Sequence, residues 1–187
     1  LPESWTQEHD VQVLGLTIQL DGQTYETVGP DKLTSEQLLA KMESGSKPTT
    51  SQINVGQFED VFRQYAQEGT AVLYVAFASA LSGTYQSAVM AREMVLEDYP
   101  EAIITILDTK AASMGEGLLV MKAVEAKEAG QSLEQTADLL QSLVPRVQIY
   151  FLVDDLNHLM RGGRISKAAA LMGSLVNIKP IIAVTAD

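Results

Sequence analysis

The first apolar positions of the chain alternate with polar ones. A tight-turn signal, Asp21-Gly22, follows them, so the pattern predicts a strand that enters a hairpin. Gln23-Thr24-Tyr25 is the predicted returning strand. The alternating apolar residues are Val11, Val13, Leu16, Ile18 and Leu20.

Helical spacing replaces this alternation in the next segment. Thr34 and Gln37 have the spacing of a capping box, which predicts a short helix that ends near Gly45. A second helix is predicted from Asn54 to Gly69, because one of its faces carries apolar residues at helical intervals. That face comprises Val55, Phe58, Val61, Phe62 and Tyr65.

Two apolar runs follow, Val72 to Phe77 and Ile103 to Leu107, and such runs are typical of parallel strands covered on both faces. An amphipathic helix is predicted between them, which makes a strand–helix–strand unit with parallel strands. Its apolar face contains Tyr85, Ala88, Val89, Ala91 and Val95.

Further helices are predicted over 114–129 and 133–143, with Ser132 and Gln135 as the capping box of the second, and then a buried strand from Val147 to Val153. After Pro145, short helices and paired glycines replace the regular order. We therefore expect an α/β fold. Its N-terminal domain, residues 1–145, has a mostly parallel sheet flanked by helices, and residues 146–187 begin a second α/β domain.

Composition narrows the function classes. The 187 residues carry a formal net charge of -11, which disfavours nucleic acid and anionic membrane surfaces as partners. The chain has no cysteine, so disulfides and thiolate metal sites are excluded and a cytoplasmic location is expected. Its apolar runs are shorter than the roughly 20 residues of a membrane-spanning helix, so stable membrane insertion is not expected. We also expect that both ends were cut from a longer protein.

Ser82-Gly83-Thr84 follows a predicted buried strand and begins a predicted helix, where ligands of open α/β sheets usually bind. The Ser82 hydroxyl and the unpaired amides of Thr84 and Tyr85 would suit an anion such as a carboxylate. The alternative is that Ser82 merely caps the helix.

Two other segments could contribute to a site. Pro48-Thr49-Thr50-Ser51-Gln52 carries three adjacent hydroxyls before a helix, although plain turn chemistry is an alternative. Arg161-Gly162-Gly163-Arg164 could grip a carboxylate or phosphate with two guanidinium groups, or be a solvated loop.

Other motifs favour structural roles. Gly115-Glu116-Gly117 begins an incomplete dinucleotide-binding fingerprint, since Val120 occupies the third glycine position, and it is interpreted as helix packing. His9 and His158 are the only histidines and lack metal-ligand spacing, so no metal site is expected.

Five segments, taken in order and spacing, resemble the bacterial DegV family. They are Thr50-Ser51-Gln52, the run from Ala78 to Ala88, Met114-Gly115-Glu116-Gly117-Leu118, the run from Leu156 to Ile165, and Asn177-Ile178-Lys179-Pro180-Ile181-Ile182. The resemblance implies a two-domain carrier protein that encloses one long-chain fatty acid, such as palmitate, oleate or stearate. It further implies that a partner, the catalytic subunit of a fatty acid kinase, phosphorylates the carboxylate, and that the carrier has no cofactor and no catalytic residue of its own.

The resemblance assigns ligand-binding roles to individual residues. Thr50 and Ser82 match the residues that hold the fatty acid carboxylate, and Ser79 and the Gly83 amide are secondary candidates. Arg161 matches the first arginine of the Arg-Gly-Gly-Arg motif. Apolar lining is expected from Leu118, Leu171, Met172 and Ile178.

The sequence departs from the family pattern in several places. Ile53-Asn54 follows Thr-Ser-Gln where Pro-Ser is commoner, and Ala78-Ser79 replaces a Ser-Ser pair. The family's first strand, with an Asp-Ser pair, would precede Leu1, and a head-group histidine would follow Asp187. We therefore expect this chain to lack part of the binding site.

Two other functions remain open. The chain could be a hydrolase or phosphotransferase with Ser82 as nucleophile, for which His158 is the only plausible base in the second half of the chain. It could also be a protein-interaction module without a small ligand, recognised through its acidic surface.

Overall fold

The computed structural model of the chain describes residues 1–153, 156–166 and 181–184. The helices are α1 (Glu3–Glu8), α2 (Ser35–Glu43), α3 (Val55–Gln67), α4 (Thr84–Asp98), α5 (Met114–Glu128), α6 (Leu133–Leu143) and α7 (Asn157–Arg161), with a short 3-10 helix at Val144–Arg146. The strands are β1 (Thr17–Leu20), β2 (Gln23–Glu26), β3 (Thr49–Ser51), β4 (Val72–Ala76), β5 (Ile104–Asp108), β6 (Ile149–Leu152) and β7 (Ile181–Val184).

The parallel strands β4 and β5 lie in the middle of a three-layer arrangement. Their register runs from Val72 opposite Ile104 to Ala76 opposite Asp108, and α4 connects them, which confirms the predicted strand–helix–strand unit. Successive side chains of a strand point to opposite faces. Tyr74 therefore packs with the cluster of α3 and α4, whereas Leu73 packs with that of α5 and α6.

Each face of this strand pair has its own hydrophobic core. On one face, Phe58 and Phe62 of α3 are 0% and 1% exposed and pack with residues of α4. On the other, Leu119 of α5 and Leu140 of α6 are 1% and 0% exposed. Full burial of a side chain of this size stabilises the fold by about 1.5–3 kcal/mol, so the helices of both layers are held firmly to the strands.

The strands β2, β1 and β3 form a separate antiparallel sheet. The predicted hairpin is confirmed: Asp21 and Gly22 have φ angles of 52° and 78°, as a two-residue turn with both central residues left-handed requires. The predicted start at Val11 is wrong, because β1 begins at Thr17. Of the predicted residues before this strand, Leu16 packs against the α3–α4 core, whereas Val13 is 50% exposed.

The local helix signals are confirmed. Thr34 with Gln37, Asn54 with Gln57 and Ser132 with Gln135 form complete capping boxes that open α2, α3 and α6. In each box, two backbone N–H groups that would lack partners are satisfied by side chains. These signals are readable in the sequence because both partners lie within one turn of chain.

The strand β6 is paired with β7 in a third, antiparallel sheet. The predicted strand from Val147 to Val153 is shorter in the structure, and its prediction as buried is wrong, because Tyr150 and Leu152 are 63% and 70% exposed. The helix-packing role predicted for Gly115 and Gly117 is supported by a contact with β6: a Cβ on Gly115 would lie 2.5 Å from the Cδ1 of Ile149. The domain boundary placed at Pro145 stays a prediction.

Among the described helices, none combines the length and the apolar character that crossing a bilayer requires.

Glu116 of α5 is a partly buried carboxyl group close to Tyr74 of β4. Burial raises the pKa of Glu116 to about 7, and the amino terminus of the chain offsets part of the rise. Burial, followed by the negative charge of Glu116, raises the pKa of the Tyr74 phenol. The fold therefore favours the protonated form of Glu116.

We expect Glu116→Gln to stabilise the protein at alkaline pH. A carboxyl with a raised pKa contributes stability below its unfolded pKa and loses it as pH rises through the folded value of about 7. At about pH 8 the free energy of unfolding should increase by about 2–3 kcal/mol, and at about pH 4 the difference should vanish. Urea denaturation at both pH values measures this, with the exposed Glu93→Gln as control. Equal gains at both pH values would contradict the burial argument.

Candidate functional site

The end of β3 and the start of α4 meet in the structure. The side-chain amide of Gln52 donates to the Ser87 hydroxyl (3.0 Å), and the backbone amide of Ile53 donates to the Thr84 hydroxyl (3.3 Å). We call residues 50–53 and 82–87 the β3–α4 junction. The two hydroxyl-rich segments of the sequence are therefore brought together, and Thr49–Ser51 form a strand rather than the alternative turn.

Thr50 lies within the junction with an available hydroxyl. It pairs with Ile18, which is 7% exposed, and directly opposite residues of an antiparallel pair share a face. Thr50 is nevertheless exposed, and among the described residues its hydroxyl has no hydrogen-bond partner. Its neighbour Ser51 instead bonds to the Thr17 hydroxyl. Thr50 therefore has donor capacity for a ligand.

Ser82 lies two residues before the first residue of α4. Its hydroxyl accepts from the Thr84 amide at 3.3 Å and lies 2.9 Å from the Thr84 hydroxyl. The Gly83 amide has no hydrogen-bond partner among the described residues. The start of this 15-residue helix also carries a partial positive charge, which favours an anion. Ser82 thus contacts the helix terminus, and it retains capacity for a ligand as well.

Gly83 leaves room for the close approach of the Gln52 side chain. A Cβ at this position would lie 2.1 Å from the Gln52 Oε1 atom, so a larger residue would displace that side chain. The displaced side chain would lose its bond to Ser87. Gly83 therefore allows the two segments to approach each other.

Ser79 is engaged elsewhere. Its hydroxyl and its backbone amide both donate to the Asp108 carboxylate, which also accepts from the Lys110 amide at 3.1 Å. A hydroxyl has one proton, and that of Ser79 points to Asp108. The arrangement favours Ser82 over Ser79 as a donor to a carboxylate, and it ties the loop after β4 to the loop after β5.

The two arginines of the Arg-Gly-Gly-Arg segment have different surroundings. The Nη2 of Arg161 lies 2.7 Å from the Nδ1 of His158 in α7. Arg164 donates from its Nε atom to the Leu81 carbonyl at 3.1 Å and from Nη1 to the Gly162 carbonyl. The structure therefore brings Arg164, the second arginine of this segment, to the loop that carries Ser82.

A groove of about 1010 Å³ begins at Leu81, beside the junction. Met114 and Leu118 of α5 line it and are 70% and 48% exposed. Ser113, at the same wall, has a φ of 54°, a strained conformation for a residue with a Cβ. Apolar residues of β6, Ile149, Tyr150 and Phe151, complete the opposite wall. The other predicted lining residues, Leu171, Met172 and Ile178, lie outside the described residues.

The geometry gives little support to the alternative that the protein is a hydrolase or phosphotransferase with Ser82 as nucleophile. A histidine base needs an orienting acid, whereas the described partner of His158 is the Arg161 guanidinium. His9 lies at the surface and contacts Glu128 at 2.8 Å. Within the described ranges, no group of three or more His, Asp or Glu side chains could hold a metal ion.

Comparison with known proteins assigns the family. A family model described as "Uncharacterised protein, DegV family" matches residues 1–186. A DegV domain-containing protein of Streptococcus pyogenes serotype M1 is 56% identical over 182 residues, which cover 97% of this chain and 64% of that protein. The chain belongs to the DegV family, which confirms the resemblance. It spans 64% of the length of that relative.

Solved structures of the same family match the fold. A stearic acid-binding protein from Eubacterium ventriosum has a TM-score of 0.87 and 33% identity, covering 100% of this chain and 64% of its own. A fatty-acid-binding DegV family protein from Thermus thermophilus has a TM-score of 0.82 and 36% identity, covering 99% and 64%. These matches confirm the α/β class, and both neighbours bind fatty acids.

We expect Gly83→Ala to disrupt the junction. The new Cβ displaces Gln52 and breaks its bond to Ser87, which should lower the free energy of unfolding by about 1 kcal/mol. Chemical denaturation measures the cost in the wild-type and Gln52→Ala backgrounds. The cost should shrink in the second background, because the clashing side chain is absent there. An equal cost in both would show that Gln52 is not the reason for the glycine.

Proposed function

We propose that the protein binds a long-chain fatty acid, with the carboxylate at the β3–α4 junction and the tail in the groove. The supporting observation is the position of the available Thr50 hydroxyl and the free Gly83 amide at a junction beside an apolar groove. Thr50 and Ser82 are the principal donors, and Gly83 contributes its amide. The solved DegV proteins that bind fatty acids make this ligand class the natural choice.

The tail supplies most of the affinity in this proposal. Burying about 15 methylenes at roughly 0.8 kcal/mol each contributes on the order of 12 kcal/mol before ordering costs. A hydrogen bond to a charged group contributes about 1.5–3 kcal/mol. The hydroxyls therefore fix the position of the carboxylate, while the groove holds the ligand.

The same proposal makes the protein a carrier without catalysis of its own. A partner kinase, the catalytic subunit of a fatty acid kinase, phosphorylates the carboxylate at the exposed junction in the cytoplasm of a bacterium. Arg161 is exposed, so its guanidinium is placed to meet a phosphate group or an acidic surface of the partner. Arg164 holds the neighbouring loop through the Leu81 carbonyl. Ser79 then supports the loop from the other side through Asp108.

We expect Thr50→Ala and Ser82→Ala each to weaken carboxylate binding by about tenfold, the loss of one charged hydrogen bond. Titration calorimetry with palmitate measures the affinity, and native mass spectrometry of protein from cells shows whether a fatty acid is bound. Matched controls are Thr24→Ala on strand β2 and Ser142→Ala on α6, both exposed and outside the junction.

The double variant Thr50→Ala/Ser82→Ala should lose phosphoryl acceptance from a fatty acid kinase more completely than it loses lipid. Formation of ADP from ATP in the presence of the kinase subunit, which accompanies transfer of the γ-phosphate to the carboxylate, reports this step. Normal affinity together with normal phosphorylation in the double variant would remove both residues from the proposed site. Wild-type protein that is free of lipid and takes up none would overturn the proposed function.

We expect Leu118→Asp to weaken binding more for long acyl chains than for short ones. Leu118 lines the groove, and an aspartate there would place a charge against the tail. Titration with fatty acids of increasing length should show a loss that grows with each methylene. Leu39→Asp on α2, which is 57% exposed and outside the groove, is the matched control. A loss that does not depend on chain length would place the tail elsewhere.

A further inference from the structure

Thr84 is a buried hydroxyl at the centre of the β3–α4 junction. It is 5% exposed, whereas its neighbour Ser82 is only partly buried. The Thr84 hydroxyl accepts a hydrogen bond from the Ile53 amide at 3.3 Å and lies 2.9 Å from the Ser82 hydroxyl. The Thr84 amide also donates to the Ser82 hydroxyl at 3.3 Å. Thr84 therefore lies between a backbone donor of one segment and the candidate ligand-binding serine of the other.

The direction of the bond between the two hydroxyls follows from their protons. Each hydroxyl has one proton and two acceptor lone pairs. If Ser82 donated to Thr84, the buried Thr84 proton would need another acceptor, and none is present among the described residues. An unsatisfied buried donor is costly. The favoured direction is therefore from Thr84 to Ser82.

This direction determines what Ser82 can offer a ligand. The Ser82 oxygen then accepts from both the Thr84 amide and the Thr84 hydroxyl, so both of its lone pairs are used. Its own proton is left to point outward. The bonds run in one sense, from the Ile53 amide through Thr84 to Ser82, and each donor in such a chain strengthens the next.

We infer that Thr84 is a positioning residue that fixes Ser82 as a hydrogen-bond donor and thereby makes the junction selective for a carboxylate over an uncharged head group. This inference rests on the proposed function. A carboxylate accepts only, and a bond to its charge is about twice as strong as one to a neutral oxygen. An alcohol of equal length keeps the tail contacts without the charge.

The test compares dodecanoate with dodecanol on the purified protein, using titration calorimetry. The wild type should favour the acid, and Thr84→Val should reduce that preference roughly tenfold through a loss of acid affinity alone. Thr84→Ser, which keeps the hydroxyl, should restore the preference. A merely structural role would weaken both ligands equally. Thr136→Val, at a threonine of α6 that is 4% exposed, controls for the loss of a buried hydroxyl.

A second comparison uses the dependence on Ser82. Because Thr84 acts through Ser82, adding Thr84→Val to Ser82→Ala should not lower the acid preference further. Thr84→Ala replaces Thr84→Val if circular dichroism shows that the valine variant does not fold. If a folded Thr84 variant without the hydroxyl keeps the wild-type preference for dodecanoate over dodecanol, the inference is overturned and the proposed function stays intact. A wild type that binds neither ligand would overturn both.

Discussion

Burial of both faces of the β4–β5 pair is the constraint on which the site depends. Because the strands are parallel, their carboxyl ends lie at one edge, and the chain must leave each strand there. The loops after Ala76 and Asp108 therefore come together, and the Asp108 carboxylate joins them by accepting from Ser79 and Lys110. The cores of the two helical layers hold this edge, and with it the loops, in place.

The β3–α4 junction adds the second half of the site from a different sheet. The hydrogen bonds of Gln52 and Ile53 to α4 connect the antiparallel sheet to the parallel unit. These bonds cross long stretches of sequence, and a buried polar group must find such partners when it leaves water. The connection satisfies the Ile53 amide and the Gln52 side chain with hydroxyls of α4, and it leaves Thr50 at the surface. Structure and proposed binding thus use the same few polar groups.

Much of the fold could be predicted because its signals are local. The three capping boxes lie within single turns, and the strand–helix–strand unit follows from apolar runs that bury both faces. The alternation from Val11 misled because apolar spacing does not show whether a residue pairs in a sheet: Val13 is exposed, and Leu16 packs on a core outside any strand. The exposure of Tyr150 and Leu152 depends on what lies across β6, and the sequence of that strand does not contain this information.

The site was less predictable, because its geometry joins residues that are far apart in the chain. The sequence showed two segments rich in hydroxyl side chains, and the family resemblance selected Thr50 and Ser82 within them. The roles of Asp108, Arg164 and Thr84 appear only through contacts with Ser79, Leu81 and Ile53. Asp108 directly follows an apolar run, which is the one local signal that could have drawn attention to it.

The junction carries hydroxyls and one available amide, and no described lysine or arginine donates to Thr50, Ser82 or Gly83. In the proposed complex, this uncharged head-group site in a chain of net charge -11 would hold an anion without a compensating ion pair. Release of the head group would then not require the separation of opposite charges, which costs Coulomb energy. In that complex the head group would detach and return while the tail stays in the groove, so the apolar contacts would set the residence time and the hydroxyls the exchange of the head group.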